Sequence, residues 1–449
     1  MKKSHYNFIF KNENDEYIAF NSMSCALAEI DKNFIDILNN VSNIKLNELD
    51  ESKKQLVANM KSNGYIIDDN YNELKVLKYR NLYSRFSKEI LSLVIAPTLN
   101  CNFKCIYCYE TSNTFKMNQT TQNNLINFIK QKLSTVKQLN IIWYGGEPLL
   151  CKDIIFNLSE RIINICDQNK VNYGAFIITN GYLIDEDIIN NFKKYNITGT
   201  QITIDGPKYV HNTRRILKSG KKDNFEKVLS SVKNLKENKI DVHIRVNLDK
   251  NNVKHVDELL QTLKDEKMED ISIYFGQVTP LTKACKSVAH SCYTKQNFSE
   301  ILIKLQKKLN TFGFKSYMDS IYYPSIKGNY CCADHINSFI IDPEGYIYKC
   351  MSDIGDKKCT IGNIKEKDFE KNIINYKFLD YMTFSAPESY KCKNCKLLPV
   401  CMGGCPSLRN NNKMVHCDIW NYNLPEIINN IYSYYKQYPE EFQKVFNQV

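Results

Sequence analysis

The sequence predicts an α/β protein built on a parallel sheet, and three observations carry that expectation. Six short apolar, β-branched runs alternate with amphipathic helical stretches between residues 91 and 313. The runs are apolar on both faces, as strands covered by helices on either side are. A different rhythm stands on each flank: mixed strands and helices over 1–85, and a glycine-, proline- and cysteine-rich stretch from about 320.

The first unit opens with two strands, "HYNFIF" and "EYIAF", around the turn "KNEND". Helical patterns follow in "KNFIDILNN" and "DESKKQLVANMKSNG", the second ending at Gly64 as a C-cap. The strand "YIID" and the charged helix "ELKVLKYRNLYSRF" complete a small α+β unit over residues 1–85.

The six strands of the central unit, residues 90–315, are "LSLVIAPT", "LNIIWYGG", "GAFIITNG", "GTQITIDG", "VHIRVNLD" and "ISIYFGQV". Helices such as "TQNNLINFIKQKLS", "DIIFNLSERIINICDQ" and "NFEKVLSSVKNLKEN" separate them, and "NFSEILIKLQKKLNTFG" follows the last. Six such units fit a partial (β/α) barrel or an open doubly wound sheet; in either, ligands gather at the C-terminal ends of the strands. Residues 320–425 hold more than half of the 17 cysteines and few long apolar runs. Such a region is expected to be held by metal rather than by its own core. Residues 426–449 read as an amphipathic helical tail.

At 449 residues the chain has length for two to four domains and a sizeable core. The net charge of +11 is spread without a block of like charge, so nucleic acid is not an expected partner. A basic groove for an acidic peptide is an equal reading of that charge. No signal peptide and no run of 18 apolar residues is found, so the expected setting is cytoplasmic, with no membrane. In a reducing compartment many cysteines point to metal ligation rather than disulfides.

The first cysteine group is "LNCNFKCIYCYE": Cys101, Cys105 and Cys108 in the spacing C-x3-C-x2-C, directly after the first strand of the repeat. Three thiolates fall one short of a structural zinc site. They suit a 4Fe–4S cluster whose fourth iron position is left for something else. The aromatic Tyr107 stands just before the third cysteine. C-x3-C-x-aromatic-C after strand one resembles the signature of the radical S-adenosylmethionine (SAM) enzymes. The resemblance implies a partial (β/α)6, TIM-like barrel. It also implies that Cys101, Cys105 and Cys108 are the catalytic ligands of a cluster that opens SAM to methionine and a 5′-deoxyadenosyl radical.

Other strand ends resemble the same family. "YGGEP", with Gly145, Gly146 and Glu147, is implied to meet the methionine amino group. "ITIDGPKYVHNTRR" is similar to a stretch of the peptide-modifying branch, by which Thr203 and Arg215 contact SAM. "TNG" at 179–181, Arg245 and Asn247 are mouth residues, and Val278 is implied to pack on the adenine.

The late cysteines read Cys332-x12-Gly345-x4-Cys350, then Cys392-x2-Cys395-x5-Cys401-x3-Cys405-x11-Cys417. By spacing alone these could be zinc ribbons. The seven-cysteine order resembles the SPASM extension of radical SAM peptide modifiers, which implies two auxiliary 4Fe–4S clusters and three in all. Cys392, Cys395, Cys401 and Cys417 are implied to hold the outer one, and Cys332, Cys350 and Cys405 the inner one. Its fourth position stays open between Cys331, Cys359, Cys285, Cys292 and no protein ligand. Cys25, Cys151 and Cys166 read as plain buried thiols.

Sulfatase maturases of this family carry Asp where this chain has Met351, and they lack the first 85 residues. Those residues resemble the PqqD-like, winged-helix-like element that takes a leader peptide as an added strand. The implied function is a maturase that forms Cys thioether crosslinks (sactipeptide or ranthipeptide type) in a ribosomally made precursor peptide. A reductant such as flavodoxin or ferredoxin is implied as a second partner. A formylglycine-forming sulfatase-maturase-like dehydrogenase and a non-enzymatic zinc or iron–sulfur module are the alternatives.

Overall fold

Six parallel strands stand side by side in the order in which they occur in the chain. They are β1 (Ile90–Ile95), β2 (Gln138–Trp143), β3 (Asn172–Thr179), β4 (Ile197–Thr203), β5 (Asp241–Leu248) and β6 (Ser272–Gln277). A doubly wound sheet reverses its order partway; this one does not, so the order is that of a barrel wall. The computed structural model describes all residues except 13, 111–112, 281, 315–322, 367–373, 413 and 440–449. The expected boundary near 320 and the end of the expected tail fall outside the described residues.

Alternation along β1 shows how the wall divides two environments. Leu91, Leu93 and Ile95 face the helices and share a core with Leu125, Phe128 and Ile129 of helix Gln119–Lys132. Val94 and Ala96 face the other way, onto Tyr144, Ile340 and Tyr348. The helices begin where the sequence supplies caps: Asn118, Asp185 and Thr294 each accept a backbone N–H at a helix start. Gly313 closes helix Lys295–Phe312 in the left-handed conformation.

The sheet does not stop at the central unit. Ser338–Ile341 runs parallel to β1 on its free side, and Tyr346–Tyr348 and Gly362–Asn363 extend it antiparallel. Gly345 makes the turn between the first two at φ +84°, where a Cβ would meet Ile364 Cγ1 at 2.8 Å. The cysteine-rich region is therefore hydrogen-bonded into the wall.

In the first unit, strands Asn7–Lys11, Tyr17–Asn21 and Leu27–Ile30 form an antiparallel sheet, the third strand being additional to the two read from the sequence. Helices Lys32–Asn40 and Glu51–Ser62 cover one face, through Phe34, Ile37, Val57 and Met60 against Ala19. The other face, Ile18 and Phe20, is covered from the far end of the chain by Trp420, Leu424, Ile427 and Ile431 of helix Trp420–Gln437. That helix bends at Asn423, two residues before Pro425. Residues 1–85 thus keep one core of their own and share two others with the C-terminal region, residues 384–435 among them. Among the described residues no helix is long and apolar enough to cross a membrane.

Candidate active site

The loop that carries Cys101, Cys105 and Cys108 leaves the end of β1 and is fixed from two sides. Phe103–Cys105 pairs antiparallel with Arg215–Leu217, Cys105 opposite Arg215. On the other side the Gly146 and Glu147 amides donate to the Thr98 and Asn100 carbonyls at 3.3 and 2.9 Å. The close approach expected at the two glycines is thus made to the cysteine loop itself. A Cβ on Gly145 would stand 2.2 Å from the Thr98 oxygen, and one on Gly146 2.5 Å from that of Asn100.

Glu147 is fully buried. Its carboxylate accepts from the Leu149 amide (3.0 Å), the Thr179 hydroxyl (2.7 Å) and the Asn180 amide (2.7 Å). It therefore ties the end of β2 to the end of β3. Burial raises its pKa, and those three bonds oppose the rise. Asn180, of the "TNG" stretch, donates to Asn102 Oδ1 at 2.7 Å and lies 3.9 Å from the Cys101 sulfur.

Behind the loop lies a buried polar network that the sequence reading missed except at its edges. Tyr107 donates to Asp205 and accepts from Arg215 Nη1 (3.0 Å) and Asn247 Nδ2 (3.3 Å). Asp205 also accepts from the Asn247 amide at 3.0 Å. Arg214 bonds Asp249 at 2.9 Å and lies over the Tyr107 ring. Burial alone would lower the Arg215 pKa; Cys105, Tyr107 and Asp205 together raise it well above the usual range, so it stays cationic. The visible signal for Asp205 and Arg214 was the "IDGP" and "RR" of one motif, of which only Thr203 and Arg215 were read.

Thr203 ends β4 and is buried beside Arg245 of β5. Val278 packs with Cys285 and Val288 against Tyr107 and Tyr109. Tyr109 and Tyr144 join hydroxyls at the mouth. Glu110 lies beside Tyr144 with one carboxylate oxygen unpartnered, and burial pushes it up to about 7. It can take up or release a proton near neutrality.

All 17 cysteines are free thiols. Burial, then the neighbouring Glu147 charge, pushes Cys101 up to about 12; burial, then Glu110, does the same to Cys108. Thiols held neutral in this way are poor free nucleophiles and give up their protons to a metal. Among the described residues no three His, Cys, Asp or Glu side chains stand close enough to hold one metal ion. The fit to a cluster rests on donors and space. Cys392, Cys395, Cys401 and Cys417, drawn from 26 residues of chain, line one cavity of about 70 Å³. Four thiols around one void suit a 4Fe–4S cluster, and equally a four-thiolate zinc ion.

The inner group is assembled less completely. Cys350 contacts the Ser352 hydroxyl at 3.0 Å, and Ser352 reaches Ser407, two residues past Cys405, at 3.5 Å. The adjoining Cys331 side chain, and then the Lys349 charge, lower the Cys332 pKa, while burial opposes them. Burial in turn pulls Lys349 down to about 7; its Nζ donates to the His335 and Ser338 carbonyls. Met351 packs inside the wall near Tyr144 and Leu99. Asp353 is tied to the Tyr381 hydroxyl at 2.8 Å. Cys25, Cys151 and Cys166 are buried, as expected.

Residues 95–263 match the family model of the radical SAM superfamily, and that segment is a radical SAM domain. The chain is a SAM-binding, cysteine-rich iron–sulfur enzyme related to peptide maturases. It is 27% identical to a cysteine-type anaerobic sulfatase-maturating enzyme of Clostridium novyi over 336 residues, covering 70% of this chain and 87% of that protein. It is 24% identical to the radical SAM cyclopropyl synthase TigE of Paramaledivibacter caminithermalis over 445 residues, covering 90% and 89%. Its fold is similar to that of Streptococcus suis SuiB bound to the precursor peptide SuiA, with a TM-score of 0.54 at 17% identity, over 92% of this chain and 97% of that one.

Proposed function

We propose that this chain is a cytoplasmic radical SAM maturase that forms Cys thioether crosslinks in a ribosomally made precursor peptide. The observation that carries the precursor-peptide part of the reading is coverage; the thioether part rests on the resemblance of the seven-cysteine order and on Met351. Alignment with TigE, and the fold likeness to SuiB with its precursor peptide, span nine-tenths of this chain, whereas alignment with the sulfatase-maturating relative spans 70%. A first unit beyond the barrel is what leader recognition needs, and the sheet edge at Leu27–Ile30 could take an added strand. Met351, apolar where a sulfatase maturase carries a base, supports the same reading.

Cys101, Cys105 and Cys108 would hold the SAM-binding cluster, which with SAM supplies a 5′-deoxyadenosyl radical. Gly145 and Gly146 hold the cysteine loop against β2, and Arg215 holds it against the fourth strand–helix unit. Thr203 and Val278 would border SAM. Cys392, Cys395, Cys401 and Cys417 would hold the outer auxiliary cluster, and Cys332, Cys350 and Cys405 the inner one.

The test is turnover of a Cys-containing precursor encoded beside the gene, with SAM and a reductant, followed by thiol alkylation and mass spectrometry. Loss of two hydrogens per crosslink, with the cysteine no longer alkylated, is expected. A two-hydrogen loss with cysteines still open to alkylation overturns thioether formation. The second reading, a sulfatase-maturase-like dehydrogenase, is favoured by the 27% identity to such an enzyme. A formylglycine product would establish it.

A further inference from the structure

Helix Glu73–Phe86 is amphipathic in an inverted sense, because its buried face is mostly polar and its exposed face is aromatic. The first turns Leu77, Asn81 and Arg85 into the protein. The other carries Tyr79, Leu82, Tyr83 and Phe86, spaced three and four apart and open to solvent. Tyr79 is 68% exposed and Tyr83 57%, and their rings stack at 6.3 Å. Ile90, at the start of β1, continues the stripe at 44% exposed. Single exposed apolar residues need no explanation; a contiguous aromatic stripe marks a contact surface.

The stripe borders a cavity of about 730 Å³. Tyr79 and Tyr83 form one wall, and Cys331, Cys332 and His335 form another. The cavity opens at the starting ends of the strands, against Ile90, Ser92 and Asn140, whereas the Cys101–Cys108 loop leaves from their finishing ends. A substrate residue seated here would lie at the opposite end of the strands from the cysteine loop. The helix also carries Lys75, Lys78 and Arg80, of which Lys78 is paired with Glu388; its single acid, Glu73, is buried, and beyond the helix Lys88 is exposed while Glu89, on the cavity wall, is paired with Lys137 at 2.6 Å. Lys75 lies one turn before Tyr79 on the same stripe.

We infer that this face docks an acidic, one-electron carrier protein of the flavodoxin or ferredoxin kind. The inference rests on the radical SAM reading, in which Cys332 is a ligand of the inner auxiliary cluster. An aromatic stripe with a basic margin fits an acidic partner, and one proposed ligand of that cluster, Cys332, lines the cavity. The carrier gives up one electron and is oxidised; the electron enters the chain on the Cys332 side, and no proton or bond need move. Opening of SAM consumes one such electron.

The experiment uses the reconstituted full chain, a recombinant flavodoxin and two double variants, Tyr79→Ser with Tyr83→Ser and Lys75→Glu with Lys88→Glu. Wild type is expected to bind flavodoxin in a salt-sensitive way. Each variant should raise the Kd at least tenfold and slow flavodoxin-driven 5′-deoxyadenosine formation equally, leaving dithionite-driven formation unchanged. Unchanged flavodoxin binding in both variants overturns the inference. So does an equal loss with dithionite, a loss of precursor binding in its place, or a wild-type dimer that the tyrosine variant dissolves. If wild type with dithionite makes no 5′-deoxyadenosine, the radical SAM reading itself falls; failure with flavodoxin alone removes only the docking face.

Discussion

The Arg215 guanidinium donates to the Tyr107 hydroxyl across 3.0 Å, and Tyr107 in turn donates to Asp205. Two residues 108 apart in sequence are thereby locked into one buried unit behind the cysteine loop.

Removing the cation leaves Asp205 to Arg214 alone, whose Nε is 3.9 Å away. Breaking a buried pair from one side typically costs about 3–5 kcal/mol. Arg215→Leu is therefore expected to lower stability by about 3 kcal/mol, at the low end because Arg214 remains. It should also weaken SAM binding at least tenfold. Arg215→Lys keeps the charge but loses the planar fork, so it should recover stability more than SAM affinity. Anaerobic urea denaturation and equilibrium dialysis with SAM measure the two effects. Wild-type values for Arg215→Leu would remove the locking role.

Gly146→Ala is expected to strip iron from the chain without unfolding it. The new Cβ would stand 2.5 Å from the Asn100 oxygen and 2.6 Å from that of Leu99, both backbone atoms of the cysteine loop. Backbone cannot swing aside as a flexible side chain can, so the loop must shift. Overpacking of this kind costs about 1–3 kcal/mol. Iron and sulfide per chain should fall by about a third, one cluster of the three proposed, with an unchanged far-UV spectrum. Full iron content would show that the loop accommodates the methyl group.

The sheet was legible because its signal is local. Runs such as "LSLVIAPT" and "VHIRVNLD" are long, β-branched and apolar on both faces, and each became a strand within three residues of its expected bounds. Ser338–Ile341 was not read, because four residues among cysteines and turns carry too little periodicity. Its place beside β1 is set by long-range pairing that no local pattern reports. The cysteine groups were legible through spacing. The pairing of Tyr107 with Asp205 and of Arg214 with Asp249 was not, since the cysteine loop, the "IDGP…RR" motif and the end of β5 are three separate segments that meet only in the fold. The separateness of residues 1–85 was overstated for the same reason: nothing in "YIAFN" announces that Trp420 covers it.

Arg85 tests how far that first unit can be separated. Its guanidinium donates to the carbonyls of Asp334 (3.2 Å), Phe384 (2.6 Å) and Met382 (2.8 Å), all from the cysteine-rich region. Arg85→Met keeps much of the volume but leaves these acceptors without their donor, at about 1–3 kcal/mol for each one left unsatisfied. A loss of at least 3 kcal/mol is expected, along with faster proteolysis between residues 380 and 400. Deleting residues 1–85 should give an insoluble or iron-poor chain rather than a clean loss of precursor binding. A soluble, iron-replete truncation would show that the shared cores are dispensable.

His211 supplies the pH dependence. It is fully buried and edge-on to Phe225 at 5.7 Å, and both ring nitrogens lack a partner among the described residues. Burial, and then the Arg215 charge, lowers its pKa well below the usual imidazole value. In the folded chain it therefore stays neutral, while the unfolded chain takes up a proton below about pH 6.5. The unfolded state binds more protons in that window, so this group's stability is complete above about pH 6.5 and is lost as pH falls. The slope approaches about 1.4 kcal/mol per pH unit for one full proton. His211→Phe removes the site and keeps an aromatic ring against Phe225. The variant's midpoint at pH 7.5 is free to differ through packing; the comparison is between slopes. From pH 7.5 to 5.5 the wild type should lose more stability than His211→Phe in anaerobic urea titrations, with cluster absorbance followed in parallel to separate cluster loss from unfolding. Parallel slopes for the two proteins would mean that His211 is protonated in the fold and that its pKa is not depressed.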